Sequence, residues 1–344
     1  MSISNLSRFP SPRFPSPQST AAFGTQGQNY LQTDYYYDPA GRRYSTHDPN
    51  GTVHETFYDA RGHVTAQWQG TAEIPDQTYF PRLPGDPSPN PDPRDFHAWV
   101  LQNPSATEGP AGTSMVKVSA YVYDNGGCGD GNLTETQTYY VSGTQSYYDT
   151  RYQFDWRDRQ VGVLGPDGVA TTRSLDNLGR DTEKNIYAAA TYNGATHEIV
   201  TSSTELRGRS QGLYDSQDRV YESRRYEVDP ATGAAGDYLP TDTWYDCRGL
   251  VAATRTGGGP IQKSVYDGVG ELVGAYTCAD AVATSNLGYA SATNVTVADT
   301  VVAQTQTWYF TAQNATLTAT YQRLPGDTTT AGPLDATNSY VTAT

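Results

Sequence analysis

The side chains best suited to chemistry in this chain lie in one glycine-rich loop. Asp124, Asp130 and Asn132 alternate with glycines there, and carboxylate, amide and carbonyl oxygens are the ligands that Ca²⁺ prefers. The loop lacks the terminal bidentate glutamate of a complete EF-hand sequence. The three residues therefore form a weak calcium candidate, and the sequence favours the alternative that the loop is a lengthened turn.

No motif indicates a catalytic site. The five histidines lack metal-ligand spacing, and the chain contains no G-x-S-x-G sequence, P-loop or dinucleotide fingerprint. Because aspartates recur in turns throughout the chain, carboxylate pairs suited to glycoside hydrolysis arise by coincidence. We therefore expect no enzyme activity and no cofactor other than the weak calcium candidate.

Three tryptophans near insertions or turns are the remaining candidates for ligand contact. Trp68, Trp99 and Trp156 are expected to be exposed there, where an indole ring stacks readily on a partly apolar ligand such as a glycan. Glycan binding is thus one hypothesis that the sequence leaves open.

A short motif, present in eight copies, must position these residues. It consists of an aromatic residue or leucine, then aspartate, two variable residues, and glycine or aspartate, both of which accept positive φ. Three of the intervals between copies are 21 residues, enough for two short strands and two tight turns. Each unit is therefore predicted to be a β-hairpin. The copies are Tyr37-Asp38-Gly41, Tyr58-Asp59-Gly62, Tyr123-Asp124-Gly127, Phe154-Asp155-Asp158, Leu175-Asp176-Gly179, Tyr214-Asp215-Asp218, Tyr245-Asp246-Gly249 and Tyr266-Asp267-Gly270.

The motif aromatics are expected to form a ladder, because equivalent positions of stacked hairpins lie side by side. The sequence favours packing between hairpins over a row of rings that binds sugars, since each ring is adjacent to a turn aspartate. The motif then serves the scaffold, and function is expected in the insertions at 71–115, 124–132 and 229–240.

Composition narrows the function classes. A net charge of −14 argues against nucleic acid, whose phosphates need a basic surface. No apolar run approaches the length of a membrane span, and three cysteines are too few for a disulfide framework. The 27 tyrosines, with frequent glycine and proline, favour short strands joined by turns. The prediction is an all-β chain of antiparallel hairpins stacked into a curved or spiralling sheet.

The sequence divides into three parts. Residues 1–29 are rich in serine and proline and are expected to form a disordered or extended lead-in. The hairpin array covers 30–280, with a proline-rich insertion at 71–115 that holds a helical turn around 95–101. Residues 281–344 form a tail rich in threonine and alanine, with a degenerate ninth motif at 310–314.

The repeated motif resembles that of the YD/RHS-repeat family, whose signature is Tyr-Asp-x-x-Gly-Arg followed by a strand and an Asp-Pro-x-Gly turn. The stretch from Tyr37 to Gly51 shows this whole signature. The resemblance covers roughly residues 30–280. Within this range, the chain is similar to the very large YD-repeat surface proteins of planctomycete-type bacteria. It implies hairpins added side by side into a spiralling sheet. Larger members close this sheet into a shell around a toxin, or serve as adhesive surface proteins, and carbohydrate binding is associated with such repeats.

The sequence thus predicts a non-catalytic structural or adhesive scaffold, either at the cell surface or forming filaments outside the cell, as a fragment of a longer protein. The alternatives are a segment of a toxin-encapsulating shell and a carbohydrate-binding module. An open sheet leaves edge strands, so the expected partners are other copies of the chain, other surface proteins or glycans.

Overall fold

The computed structural model describes residues 31–71, 93–110, 113–127, 129–141, 146–279, 288–310, 315–325 and 332–344. The chain divides into two compact units, residues up to 160 with 165–167, and residues 161–164 with 168–344. The lead-in predicted for residues 1–29 and much of the insertion at 71–115 lie outside the described residues.

In the first unit, seven strands pair antiparallel in chain order, each with the next. They are β1 (Asp34–Tyr37), β2 (Arg43–His47), β3 (Val53–Tyr58), β4 (Val64–Gly70), β5 (Val116–Tyr123), β6 (Leu133–Tyr139) and β7 (Tyr147–Phe154). The helix α1 (Pro93–Gln102) lies between β4 and β5 and is longer than the single turn predicted at 95–101.

In the second unit, twelve strands pair antiparallel in the same way. They are β8 (Gln160–Leu164), β9 (Ala170–Leu175), β10 (Asp181–Tyr187), β13 (Leu206–Tyr214), β14 (Val220–Val228), β15 (Ala235–Tyr245), β16 (Val251–Thr256), β17 (Ile261–Tyr266), β18 (Leu272–Cys278), β19 (Val301–Phe310), β20 (Ala315–Arg323) and β21 (Ser339–Ala343). A separate hairpin joins β11 (Ala190–Asn193) to β12 (Glu198–Thr201), and a short helix α2 (Tyr289–Thr293) precedes β19. The all-β prediction of antiparallel hairpins is confirmed.

Seven of the eight motifs form a tight turn of one kind, in which a type I turn is followed by a bulge residue with positive φ. In the first copy, Gly41 N–H donates to the Asp38 carbonyl and Asp38 N–H donates to the Arg42 carbonyl, each at 2.9 Å. Gly41 has φ +77°, and the strand register shifts by one residue at Tyr37. This is the three-residue hairpin loop that needs a left-handed residue.

The need for positive φ explains why the fourth position of the motif is either glycine or aspartate. This position has positive φ in seven of the eight motifs, including Asp158 at +60° and Asp218 at +64°. The prediction is wrong for Gly127, where φ is −96°. In that lengthened turn, Asp124, Asn125 and Gly126 have positive φ instead.

In each unit, a helix from an insertion packs against part of the sheet. In the first unit, Phe96 and Val100 of α1 pack on Phe57 and Trp68 of the sheet, and in the second unit Ala292 of α2 packs with the core of β16 to β19. The prediction of an inserted loop at 229–240 is partly wrong. Residues 235–240 instead extend β15, because they pair with β14.

Candidate functional site

The motif aspartate holds its own turn together. In the first copy, Asp38 Oδ1 accepts from the backbone N–H groups of Ala40 at 2.9 Å and Arg42 at 2.8 Å. Its other oxygen accepts from Arg42 Nε at 2.7 Å. The same three bonds recur at Asp155, Asp176 and Asp215. The carboxylate therefore acts as a turn cap and as the partner of an arginine four residues later.

These hydrogen bonds favour the ionised carboxylate. The Arg159 side chain lowers the pKa of Asp155 to about 2, against the desolvation that raises it. The Arg219 side chain likewise lowers the pKa of Asp215. Asp155 and Asp215 are thus charged structural acceptors, unlike a general acid, whose pKa must lie near the working pH.

Three of these arginines reach the aromatic ring of the following motif. The guanidinium of Arg42 lies 4.6 Å from the ring centroid of Tyr58, Arg180 lies 4.7 Å from Tyr214, and Arg219 lies 4.5 Å from Tyr245. Each of these is a cation–π contact across neighbouring strands. One arginine thus connects the turn of its own hairpin to the ring of the next.

The tyrosine hydroxyl completes the connection. Tyr245 OH donates to the Val220 carbonyl at 2.9 Å, and Tyr58, Tyr214 and Tyr266 donate in the same way to the preceding hairpin. We call this arrangement of aspartate, arginine and next tyrosine the relay. The aspartate binds within its own turn, whereas the arginine and the tyrosine make the contacts between hairpins. These contacts agree with the expectation that the motif aromatics pack between hairpins.

The relay varies where the residue after the turn varies. His63 replaces arginine after Asp59, with Nδ1 at 2.9 Å from the carboxylate, and its ring stacks on Tyr123 at 4.6 Å between centroids. In the seventh copy, Arg248 lies one residue before the turn glycine and donates to the next motif's Asp267 carbonyl at 2.6 Å. A planar nitrogen-bearing side chain is retained while its position shifts.

Aspartate at the left-handed position adds a contact that glycine cannot make. Asp218 Oδ1 accepts from Arg180 Nη1 of the preceding motif, and Asp158 Oδ1 accepts from Asn132 Nδ2, both at 2.7 Å. Sequence reasoning gave these residues only a backbone role. The missed signal was aspartate at a position where glycine has the lower backbone cost.

The calcium candidate loop folds around its own aspartate. Asp124 Oδ1 accepts from the N–H groups of Gly131 and Asn132 at 3.0 and 2.9 Å, and Arg61 Nη1 lies 3.6 Å from Oδ2. Asp130 is exposed. In the described part of the chain, no three His, Cys, Asp or Glu residues group to hold a metal. Calcium would compete with these donors, and its binding stays a prediction.

The three tryptophans lie in different environments. Trp68 is only 1% exposed, so the prediction of an exposed ring is wrong, because α1 covers it with Phe96 at 5.4 Å between centroids. Trp99 packs partly buried against the same cluster. Trp156 is 82% exposed, with the Arg157 guanidinium 4.5 Å from its ring centroid. Only Trp156 presents an open ring.

Two buried lysines are candidate functional residues that the sequence did not indicate. Lys263 is 1% exposed, and its ammonium donates to Asp299 Oδ1 and the Asn294 carbonyl at 2.6 Å and to the Ser291 carbonyl at 3.0 Å. Burial lowers the pKa of Lys117, which donates to the Pro104 carbonyl at 3.0 Å. Both lysines fasten an insertion to the sheet, since their acceptors lie outside the strands.

A second ladder of charged side chains crosses the strands of the second unit. Arg209 donates to Glu183 at 2.8 Å and lies 4.8 Å from the Tyr226 ring centroid. Arg224 binds Glu222 on its own strand at 2.6 Å and lies 4.7 Å from the ring centroid of Tyr238 on the next strand. The Arg209–Glu183 ion pair and the two arginine–tyrosine contacts therefore connect neighbouring strands.

No helix among the described residues is long and apolar enough to cross a membrane.

Comparisons with known proteins bear on the fold only distantly. No protein-family model matches the chain, and no curated protein matches it. Among solved structures, the crystal structure of TcdB2-TccC3-Cdc42 matches with 12% identity and a TM-score of 0.29, over 90% of this chain and 15% of that chain. The TcdB2-TccC3 structure gives 11% and 0.30 over 90% and 16%, and the Photorhabdus luminescens Tc holotoxin pore gives 11% and 0.29 over 90% and 15%. The chain thus spans about 15% of the length of these proteins, and likeness at these scores adds no functional information.

Proposed function

We propose that this chain is a non-enzymatic repeat scaffold, one segment of a larger β-sheet. Its role is to extend that sheet one hairpin at a time. The observation that carries the proposal is the relay. In the relay, the aspartate binds the backbone and the arginine of its own turn, and the arginine and the next tyrosine make the contacts between hairpins. These recurring polar groups therefore have structural roles.

An edge strand supports association with further sheet. β21 reads Ser-Tyr-Val-Thr-Ala, pairs only with β20 among the described strands, and is exposed after Ser339. It carries no charge and no proline, the features by which natural sheets discourage pairing at an edge. Another copy of the chain, or a further hairpin of a longer chain, would find a ready template there.

The experiment is light scattering and electron microscopy of the chain at rising concentration. We expect assemblies that lengthen the sheet, lost on Val341→Lys and retained on Val297→Lys. Val341 pairs with Tyr321 in the edge ladder, whereas Val297 is 82% exposed and lies outside the strands. A wild-type chain that stays monomeric at every concentration would contradict assembly through this edge.

A carbohydrate-binding role is the second candidate, favoured by Trp156. Its ring is 82% exposed and adjoins a guanidinium, and the pair offers stacking and hydrogen-bond donors to one ligand. A glycan array with the wild-type chain and Trp156→Ala tests this role, and an array without signal would end it. The toxin-shell alternative and the cell-surface location rest on the motif resemblance.

A further inference from the structure

An open cleft of about 450 Å³ lies beside the last complete motif of the second unit. Two acidic residues, Asp267 and Glu271, line it together with the aromatic run of Trp308, Tyr309 and Phe310. These three aromatic side chains are 42%, 37% and 46% exposed. The cleft thus brings two carboxylates close to exposed aromatic residues of β19.

The strand register assigns the cleft to a relay position. Gly274 pairs with Gln306, and three further residues along each antiparallel strand place Glu271 opposite Tyr309. Tyr309 OH donates to the Leu272 carbonyl at 3.2 Å, as Tyr245 OH donates to the Val220 carbonyl. Tyr309 therefore occupies the ring position of a ninth repeat, one residue before the Phe310 predicted from the sequence. Residues 311–314 of that prediction lie outside the described residues.

The residue opposite the ring has the reverse charge here. In the earlier copies Arg42, Arg180 and Arg219 occupy the equivalent place, each with its guanidinium on the next ring. Glu271 replaces that arginine. The register thus places a glutamate opposite Tyr309, in the position where the rings of Tyr58, Tyr214 and Tyr245 each have an arginine.

Neighbouring charges leave this place acidic. Asp267 Oδ1 accepts from the N–H groups of Val269 and Glu271 at 2.9 and 2.8 Å, and the backbone hydrogen bond from Glu271 lowers the pKa of Asp267. Arg248 reaches the Asp267 carbonyl, but its Nε is bound 2.9 Å from Asp246 Oδ2. Among the described residues, no ion pair engages Glu271.

We propose that this cleft binds the guanidinium of an arginine side chain from another polypeptide, in the place that the chain's own arginines occupy in earlier repeats. A guanidinium satisfies both surfaces at once, because its planar face stacks on Tyr309 while its edge donates to carboxylates. An ammonium lacks the planar face, so lysine is expected to bind less well. The proposal uses the chemistry of the relay but stands apart from assembly at β21.

The test uses N-acetyl-arginine amide as the probe and N-acetyl-citrulline amide as its neutral isostere. Binding is followed by the indole N–H resonance of Trp308, assigned with Trp308→Phe. We expect a saturable shift with the arginine probe and none with citrulline at equal concentration. No saturable shift, or an equal shift with citrulline, would overturn the proposal.

Two substitutions sharpen the result. Glu271→Gln is expected to weaken binding about fivefold, which corresponds to ~1 kcal/mol. Glu271→Arg should abolish binding, since the new guanidinium occupies the cleft itself, and should slow amide exchange in β18 and β19. The exposed Glu198 provides the matched control, and Glu198→Gln should leave binding unchanged.

Retained binding in Glu271→Arg would show that the probe lies elsewhere and would refute the assignment. Neither result alters the assembly measured with Val341→Lys, so the two proposals fail independently.

Discussion

The contact between Arg219 and Tyr245 provides the most direct test of the relay. Arg219 lies 4.5 Å from the ring centroid of Tyr245, whose hydroxyl donates to the Val220 carbonyl at 2.9 Å. Arg219→Leu removes the cation and Tyr245→Leu removes the ring. Leucine at both positions has a precedent in this chain, since Leu250 and Leu175 occupy the equivalent places in other copies.

The magnitude follows from the contacts. Tyr245→Leu loses a hydrogen bond, about 1 kcal/mol, in addition to its share of the cation–π contact. Arg219→Leu also disturbs Asp215, so neither single variant isolates the pair. The double-mutant cycle cancels these separate losses, and we expect a coupling free energy of about 0.5–1 kcal/mol.

Amide hydrogen exchange in β14 and β15 is the suitable assay. A chain with two compact units need not unfold in one step, and exchange reports the opening free energy of these strands themselves. The control cycle combines Arg219→Leu with Tyr266→Leu on β17, three strands and about 14 Å away at the usual strand spacing. Coupling no larger than in this control would refute the relay as an energetic link.

Three further predictions follow from the turns and the buried charges. Gly249→Val should lower the free energy of unfolding by about 1–2 kcal/mol, because Gly249 has φ +88°. Gly249→Asp should lower it less, since Arg219 Nη1 lies 3.9 Å from an added Cβ and can bind the new carboxylate. Urea titration of both variants checks this, with the exposed Gly236→Val as control. Lys263→Met should lower the free energy of unfolding by about 3–5 kcal/mol, because it leaves buried acceptors without a donor. Thermal unfolding measures this loss beside the exposed control Lys184→Met. An equal loss in the two variants would count against a structural role for Lys263. The folded pKa of Asp155, about 2, lies below its unfolded value, so the stability that Asp155 contributes should be present above about pH 4 and lost as the pH falls through 2. Between pH 5 and 2, the thermal midpoint of Asp155→Asn should therefore fall less steeply than that of the wild type. Parallel curves for the two proteins would contradict the linkage.

Much of the hairpin could be predicted because its determinants lie within five residues of one another. Aspartate caps the turn from position one, and glycine or aspartate supplies positive φ at position four, as at Gly41 and Asp218. Both requirements are local backbone chemistry, so they are readable without knowledge of the neighbours. Gly127 departs because extra residues move the left-handed positions to Asp124, Asn125 and Gly126.

The candidate site was less predictable because its partners come from different hairpins. Trp68 looked exposed beside an insertion, but the insertion folds back as α1 and buries it. Nothing in the sequence around Glu271 marks it as unusual, because its meaning depends on Tyr309 lying opposite.

The sequence by itself determined the repeat, the turn type and the all-β class, since these depend on backbone preferences and strand-length spacing. Only the tertiary structure decided which arginine lies on which ring, which lysines are buried and where the arginine is exchanged for a carboxylate. Those features depend on strand register and on loops that return to the sheet, and contacts between residues 15 to 60 positions apart are not specified by local chemistry.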